Sequence, residues 1–290
     1  MTEPEKMNIQ WYPGHMTKTR RQMEADLKQV DAVCEIVDAR IPISSRNPDI
    51  DSICGSKPRI LVLNRMDLAD PDATQEWAAY FRSKGMAVIA TDCKTRRGIA
   101  DFTPAARAAC AEKLQRDAAR GMNRPLRVMV VGIPNVGKST LINQISGRKG
   151  AKAENRPGVT RGKQWVTVDS GLLLLDTPGI LWPKFEDRDV GMMLAFTGAV
   201  KEGVIDLEEL ACHLMELLHR YYPQALLDRY KIEAPVETKG WELLEMAGKN
   251  RGYLLSGGEI HTERMAKVLV DEFRSGKLGK FTLEMPEERK

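Results

Sequence analysis

The chain of 290 residues contains no apolar run approaching the roughly 20 residues needed to cross a bilayer, so membrane insertion is not expected. Its first residues, Met-Thr-Glu-Pro-Glu-Lys, are charged and offer no apolar leader, which predicts a soluble, unexported, cytoplasmic protein. Cysteine is scarce. Cys34, Cys54, Cys93, Cys110 and Cys212 are odd in number and form no C-x-x-C pair, which argues against a disulfide framework or a zinc ribbon and suits a reducing compartment. Net charge is also small: 44 Lys and Arg against 40 Asp and Glu leave +4, too little by itself to announce a nucleic-acid binder. What remains is ordinary globular material, 42% hydrophobic and 29% charged, enough for a sizeable core. At about 150 residues per domain, one large domain and a smaller one are expected.

Short apolar runs read as strands at Val33–Val37, Ile60–Leu63, Ala87–Ala90, Val128–Val131, Trp165–Val168 and Leu172–Leu175. Between several of them the spacing turns helical, as in Met16, Met23, Leu27 and Val30, or in one Ala-rich stretch from Phe102 to Arg120. This alternation predicts an α/β domain with a mainly parallel sheet over residues 1–185. After a linker at 186–203, residues 204–290 read as a small helical domain. Asp206 and Glu209 resemble an N-terminal cap before Leu210, Leu214, Leu217 and Leu218, and further helices are expected at Trp241–Met246 and Ile260–Phe273.

Gly132-Ile-Pro-Asn-Val-Gly137-Lys138-Ser139 fits G-x-x-x-x-G-K-S between an apparent strand and a helix opening at Thr140. The glycines let backbone N–H groups curl around anionic oxygens, Lys138 reaches β and γ phosphates, and Ser139 offers a hydroxyl to magnesium. Asp176-Thr-Pro-Gly179 puts a carboxylate at a strand end for the magnesium shell and a glycine N–H near the γ phosphate. Between them, Thr160 in Pro157-Gly-Val-Thr160 lies in a switch-like loop able to close over magnesium and the γ phosphate.

Asn64-Arg65-Met66-Asp67 terminates the second strand. A carboxylate there accepts from both N1–H and the 2-amino group of guanine, which adenine does not offer, so Asp67 selects GTP over ATP. Asn64 would tie the loop to the rest of the site. The tetrad departs from N-K-x-D at Arg65, whose stem can lie on the base but whose planar fork is not an ammonium. Asp92-Cys93-Lys94 follows the third strand and sits where amides would back the guanine. The order of these motifs is permuted, with the base reader and its backing loop ahead of the phosphate loop. A site made from strand ends survives such permutation, while the segment after Gly179 now leads to the helical domain.

The chain resembles the circularly permuted GTPases, in particular the bacterial group that acts late in large ribosomal subunit assembly. The resemblance spans nearly all of it: Ile9-Gln-Trp-Tyr-Pro-Gly-His15-Met16, Asp38-Ala-Arg40-Ile-Pro with Arg46-Asn-Pro48, the permuted motifs, and Phe273-Arg-Ser-Gly276-Lys-Leu-Gly279 with Leu283-Glu-Met-Pro286. It implies GTP and GDP as ligands, with Mg2+ and K+. Nucleotide contacts would come from Asn64, Arg65, Met66, Asp67, Asp92, Cys93, Asn135, Val136, Gly137, Lys138, Ser139, Thr140 and Gly179. Mg2+ would be held at Ser139, Thr160 and Asp176.

Ile180 occupies the place where many GTPases carry a water-orienting glutamine. The resemblance points to His15 as the water-positioning residue, the alternative being a phosphate or RNA contact. Asn135 is similar to the asparagine that holds potassium, its other reading being a loop-shaping role. Turnover in isolation would be slow, within one or two orders of about 10⁻⁴ s⁻¹, and raised by the partner. That partner would be the large ribosomal subunit, its RNA and proteins, met by a monomer. Basic clusters suited to RNA lie at Lys18, Arg20 and Arg21, at Arg148, Lys149, Lys152, Arg156, Arg161 and Lys163, and at Arg274, Lys277 and Lys280. A second function class keeps the RNA binding but makes hydrolysis incidental to a scaffold.

Overall fold

The computed structural model describes residues 21, 23–147, 164–178, 188–200 and 205–286. His15, Thr160, Gly179 and the basic stretch 148–163 lie outside them. Six strands, β1 (Ala32–Asp38), β2 (Arg59–Asn64), β3 (Ala87–Thr91), β4 (Leu126–Gly132), β5 (Gln164–Asp169) and β6 (Leu172–Asp176), form one sheet in the order β3-β2-β1-β4-β6-β5. All neighbours are parallel except β5 and β6. The exception is forced by chain length, since only Ser170 and Gly171 separate these two strands and so short a link can only reverse direction. The Asp169 carboxylate accepts from the Gly171 N–H at 2.7 Å and shapes that turn.

Every residue of β1 is buried, so helices must cover both faces of the sheet. On one face, Met23 and Leu27 of the helical residues 23–27 and Ile50 and Cys54 of α1 (Ile50–Cys54) pack with Val33, Met129 and Leu175. Beside them, Trp77 and Phe81 of α2 (Pro71–Ser83) cover Val37, Leu61 and Leu63. Asp70 starts α2 by accepting from the Asp72 and Ala73 N–H groups, with Pro71 preset at the first position.

The Ala-rich stretch from Phe102 to Arg120, read as helical, forms two helices, α3 (Phe102–Ala109) and α4 (Ala111–Ala119), because Cys110 leaves helical geometry at φ −109°, ψ 17°. α3 buries Phe102 and Ala106 against the sheet, whereas α4 buries no residue and returns the chain toward β4. α5 (Lys138–Ser146) then follows β4.

The chain divides into two compact units, Met1–Glu186 with Glu284–Lys290, and Asp187–Leu283. The second contains α6 (Arg188–Phe196), α7 (Leu207–Tyr221), α8 (Pro223–Tyr230), α9 (Gly240–Asn250) and α10 (Thr262–Ser275). Asp206 caps α7 through the Glu208 and Glu209 N–H groups. Leu210, Leu214 and Leu218 of α7, Leu243 and Ala247 of α9, and Met265 and Leu269 of α10 are buried, and α7 packs on both other helices. Residues 186–203, expected as a linker, include α6, whose Met192, Leu194 and Phe196 are buried. Residues from Glu284 onward, expected in the helical domain, group with the first unit. Among the described residues no helix is long and apolar enough to cross a membrane.

Candidate nucleotide site

The residues read as functional stand at the carboxyl ends of neighbouring strands. Asp38, Asn64 and Thr91 are aligned across β1, β2 and β3, while Gly132 of β4 pairs with Ile36 and Asp176 of β6 with Val130. Chain order reverses between β1 and β4, the place where an open parallel sheet forms its ligand crevice.

The phosphate loop turns through Asn135 at φ 60° and Gly137 at φ 96° before α5 begins at Lys138, so the free N–H groups of the first helical turn face the loop. Gly137 has no substitute here, because a Cβ on it would lie 2.3 Å from Asn64 Nδ2. Asn64 donates from Nδ2 to the Val136 carbonyl at 2.7 Å. Its Oδ1 accepts from Thr91 Oγ1 at 3.0 Å and from Cys93 Sγ at 3.3 Å. One buried amide therefore braces the phosphate loop, the end of β3 and the backing loop together. Burial pushes the Cys93 thiol up to about 11, so it stays protonated as a donor near neutral pH.

Arg65 sits at φ 62° and donates from Nη2 to the Asn135 carbonyl at 2.6 Å, while its Nε lies 3.7 Å from Asp38 Oδ2. The planar fork thus serves two loops at once. Burial lowers its pKa from the ordinary value. Asp38 and Arg40 form a fully buried bidentate pair, Nε to Oδ1 at 2.9 Å and Nη2 to Oδ2 at 2.7 Å. Burial opposes the Asp38 charge, but Arg40 and Arg65 outweigh it and hold the carboxyl below the usual range. Asp38 and Arg40 were not assigned to the site from sequence, although their D-x-R spacing lets one side chain fold back on the other.

Asp67 pairs with Lys94 Nζ at 3.3 Å. Asp92 shapes the backing loop, accepting from the Lys94 N–H at 2.8 Å and Thr95 Oγ1 at 2.6 Å. Against burial, these hydrogen bonds keep its carboxyl below the ordinary carboxylate value. Gln144 of α5 donates to the Cys93 carbonyl at 3.1 Å, fastening the same loop to the helix that carries Ser139 and Thr140.

Lys138 Nζ donates to the Thr177 carbonyl and lies 3.9 Å from Asp176 Oδ1. That oxygen is buried without a hydrogen-bond partner among the described residues. Burial draws Lys138 down to about 8, with Asp176 opposing, and raises the Asp176 carboxyl, with Lys138 opposing. A buried carboxylate oxygen without a hydrogen-bond partner fits a hard cation. Among the described residues no group of three His, Cys, Asp or Glu is placed to hold a metal ion. Thr177, missed from sequence, supplies the Lys138 acceptor and anchors β6 to β4 through Oγ1 to the Val130 carbonyl at 2.7 Å.

One expected RNA-facing residue has a different task. Arg274 donates from Nε to the Phe196 carbonyl at 3.1 Å and from Nη2 to the Ala195 carbonyl at 2.9 Å, closing the carboxyl end of α6. Lys277 and Lys280 are exposed.

Comparison with known proteins agrees with this geometry. A family model described as 50S ribosome-binding GTPase matches residues 127–248. Ribosome biogenesis GTPase A of Bacillus cereus is 46% identical over 97% of this chain and 95% of its own length. The protein of the same name from Thermotoga maritima is 31% identical over 97% of this chain and 95% of its own length. The GDP-bound structure of TM YlqF is similar with a TM-score of 0.68 at 27% identity, covering 92% of this chain and 100% of that one. Relatives this similar over almost the entire length, on a P-loop fold whose Asn64–Asp67 tetrad precedes its G-x-x-x-x-G-K-S loop, show that the chain belongs to the ribosome biogenesis GTPase A family of circularly permuted GTPases.

Proposed function

We propose that this GTPase acts in assembly of the large ribosomal subunit, binding the immature particle with GTP and leaving after hydrolysis. The observation that carries the reading is the near-full-length similarity to proteins named for ribosome biogenesis. Asp67 would accept from N1–H and the 2-amino group of guanine, exchanging its Lys94 partner for the base. The Arg65 stem and Met66 would line the base, backed by the loop at Asp92 and Cys93. The amides from Asn135 to Thr140, with Val136 and Gly137 between, would receive the phosphates. Lys138 would exchange the Thr177 carbonyl for β and γ phosphate oxygens. Ser139, Thr160 and Asp176 would hold Mg2+, which when bound offsets charge on the phosphates. Asn135 would hold K+ through its side chain, since Arg65 engages its carbonyl. His15 would orient the attacking water, which Ile180 cannot do, and the Gly179 N–H would meet the γ phosphate.

The site residues here orient and neutralise; no covalent intermediate is needed for water to attack the γ phosphorus and displace GDP, leaving phosphate. We further propose that the protein works as a cytoplasmic monomer. The test is GTP hydrolysis with and without purified large subunits, together with pelleting of the protein on subunits with a non-hydrolysable GTP analogue or GDP. Stimulation of about tenfold or more, with retention only by the analogue, is expected for a timer with a trigger on the particle. RNA-dependent retention with unchanged turnover would instead favour the scaffold reading.

A further inference from the structure

We propose that Glu284 is a positioning residue for the nucleotide site, acting through the loop that follows β1. This loop, residues 39–46, is largely buried and belongs to no strand or long helix; the Ile41, Ser45 and Arg46 N–H groups find carbonyl acceptors between Asp38 and Ile43, whereas those of Ile43 and Ser44 need acceptors from elsewhere. Glu284 supplies them. Its carboxylate accepts from the Ile43 N–H at 2.7 Å, from the Ser44 N–H at 3.0 Å and from the Ser44 hydroxyl. Its own carbonyl is pinned by Trp77 Nε1 at 2.8 Å, with Trp77 buried in α2. The residue is thus held on both sides, by the loop and by the sheet-covering helix.

From the loop the path to the phosphate loop is continuous. Ser45 Oγ accepts from the Asp38 N–H at 2.9 Å and donates to the Ile41 carbonyl at 2.7 Å. The Asp38 carboxylate is locked to Arg40 and stands 3.7 Å from Arg65, which holds the Asn135 carbonyl at 2.6 Å. The Ala39 N–H also donates to the Asn64 backbone carbonyl at 2.9 Å. Removing an acceptor oxygen at 284 would leave a buried N–H unsatisfied, shift the loop, and move Asp38 relative to Arg65. Leu283 ends the second unit and Glu284 begins the return to the first, so this anchor is also the covalent exit of the helical unit.

The inference rests on the reading of Arg65 and Asn135 as nucleotide-site residues, and the experiment separates the two. Dissociation of a fluorescent GDP analogue and GTP turnover are measured on the full chain carrying Glu284→Gln, Glu284→Asp, Ser44→Ala, Arg65→Ala, or Glu284→Gln with Arg65→Ala, well below each melting temperature. Gln places a donor where two N–H groups already point. Glu284→Gln should speed dissociation and raise KM about fivefold while kcat changes less than about twofold, in the range of coupling through packed networks. Ser44→Ala should give a smaller effect of the same kind, Glu284→Asp should recover part of the loss, and the double variant should be no worse than Arg65→Ala. If Glu284→Gln fails to fold, the Ser44→Ala and Glu284→Asp shifts decide. If Arg65→Ala weakens nucleotide binding while the Glu284 and Ser44 variants lower only the melting temperature, the relay is refuted. If Arg65→Ala is itself silent, the reading of the site fails and takes the relay with it.

Discussion

The side-chain amide of Asn64 donates to the carbonyl of Val136 at 2.7 Å, joining two loops that are 72 residues apart in the chain. Because the same amide oxygen accepts from Thr91 and Cys93, the loop expected to read the base and the loop expected to hold phosphate share one rigid support. Permuting the chain order leaves that support intact, since it depends on which strands are neighbours and not on which comes first.

Asn64→Ala leaves the Val136 carbonyl and the Thr91 hydroxyl without this partner in a buried place. The expected cost is about 1–3 kcal/mol of stability. Nucleotide affinity should fall about tenfold, read by titration with a fluorescent GDP analogue alongside thermal melting.

Gly137→Ala should abolish GTP binding. The added methyl would stand 2.3 Å from Asn64 Nδ2, and the φ of 96° is hostile to any side chain. Relief requires either Asn64 or the phosphate loop to move, so calorimetry should detect no GTP binding, with stability lower by about 1–3 kcal/mol.

Lys138 predicts a pH signature. Burial lowers its pKa from 10.5 to about 8, so above pH 8 the folded protein holds it neutral while the unfolded chain still binds the proton. The cost of burying its charge therefore acts below about pH 8 and is relieved as pH rises toward 10.5, so this group adds stability on the alkaline side. Phosphates beside the ammonium should raise the pKa again. Nucleotide binding should take up part of a proton at about pH 9 and almost none at about pH 6.5, measured by calorimetry in buffers of different ionisation enthalpy. Uptake that is equal at both would contradict the shift.

Arg274→Ala should act on the helical unit rather than on an RNA contact. It removes donors to the Ala195 and Phe196 carbonyls at the end of α6 and should cost about 1–3 kcal/mol, seen as a lower melting temperature. Arg274→Lys keeps the charge but not the two-pronged geometry, so a melting temperature close to that of the alanine variant is expected.

His15→Ala should lower hydrolysis stimulated by the large subunit by about 10²-fold or more while leaving GTP affinity nearly unchanged. Unchanged stimulated turnover would favour a phosphate or RNA contact for His15.

Much of the site was legible in the sequence because each motif is local. G-x-x-x-x-G-K-S, the tetrad at Asn64–Asp67 and D-T-P-G each need only their own spacing and the strand before them, and all six apolar runs lie within observed strands. What was illegible depends on partners distant in sequence. The role of Arg274 required α6 to end beneath it, and α6 itself was hidden in a stretch that read as a linker.

The sequence alone determined the fold class, the GTPase class and the permuted motif order, because hydrophobic period and short motifs act over a few residues. Tertiary structure alone decided what holds those motifs in place. Asn64 on Val136, Arg65 on Asn135, Lys138 on Thr177 and Glu284 on Ser44 are hydrogen bonds between segments separated by 39 to 240 positions. Which distant carbonyl or carboxylate meets which buried donor follows from strand order and burial, and neither is written in any one stretch of the chain.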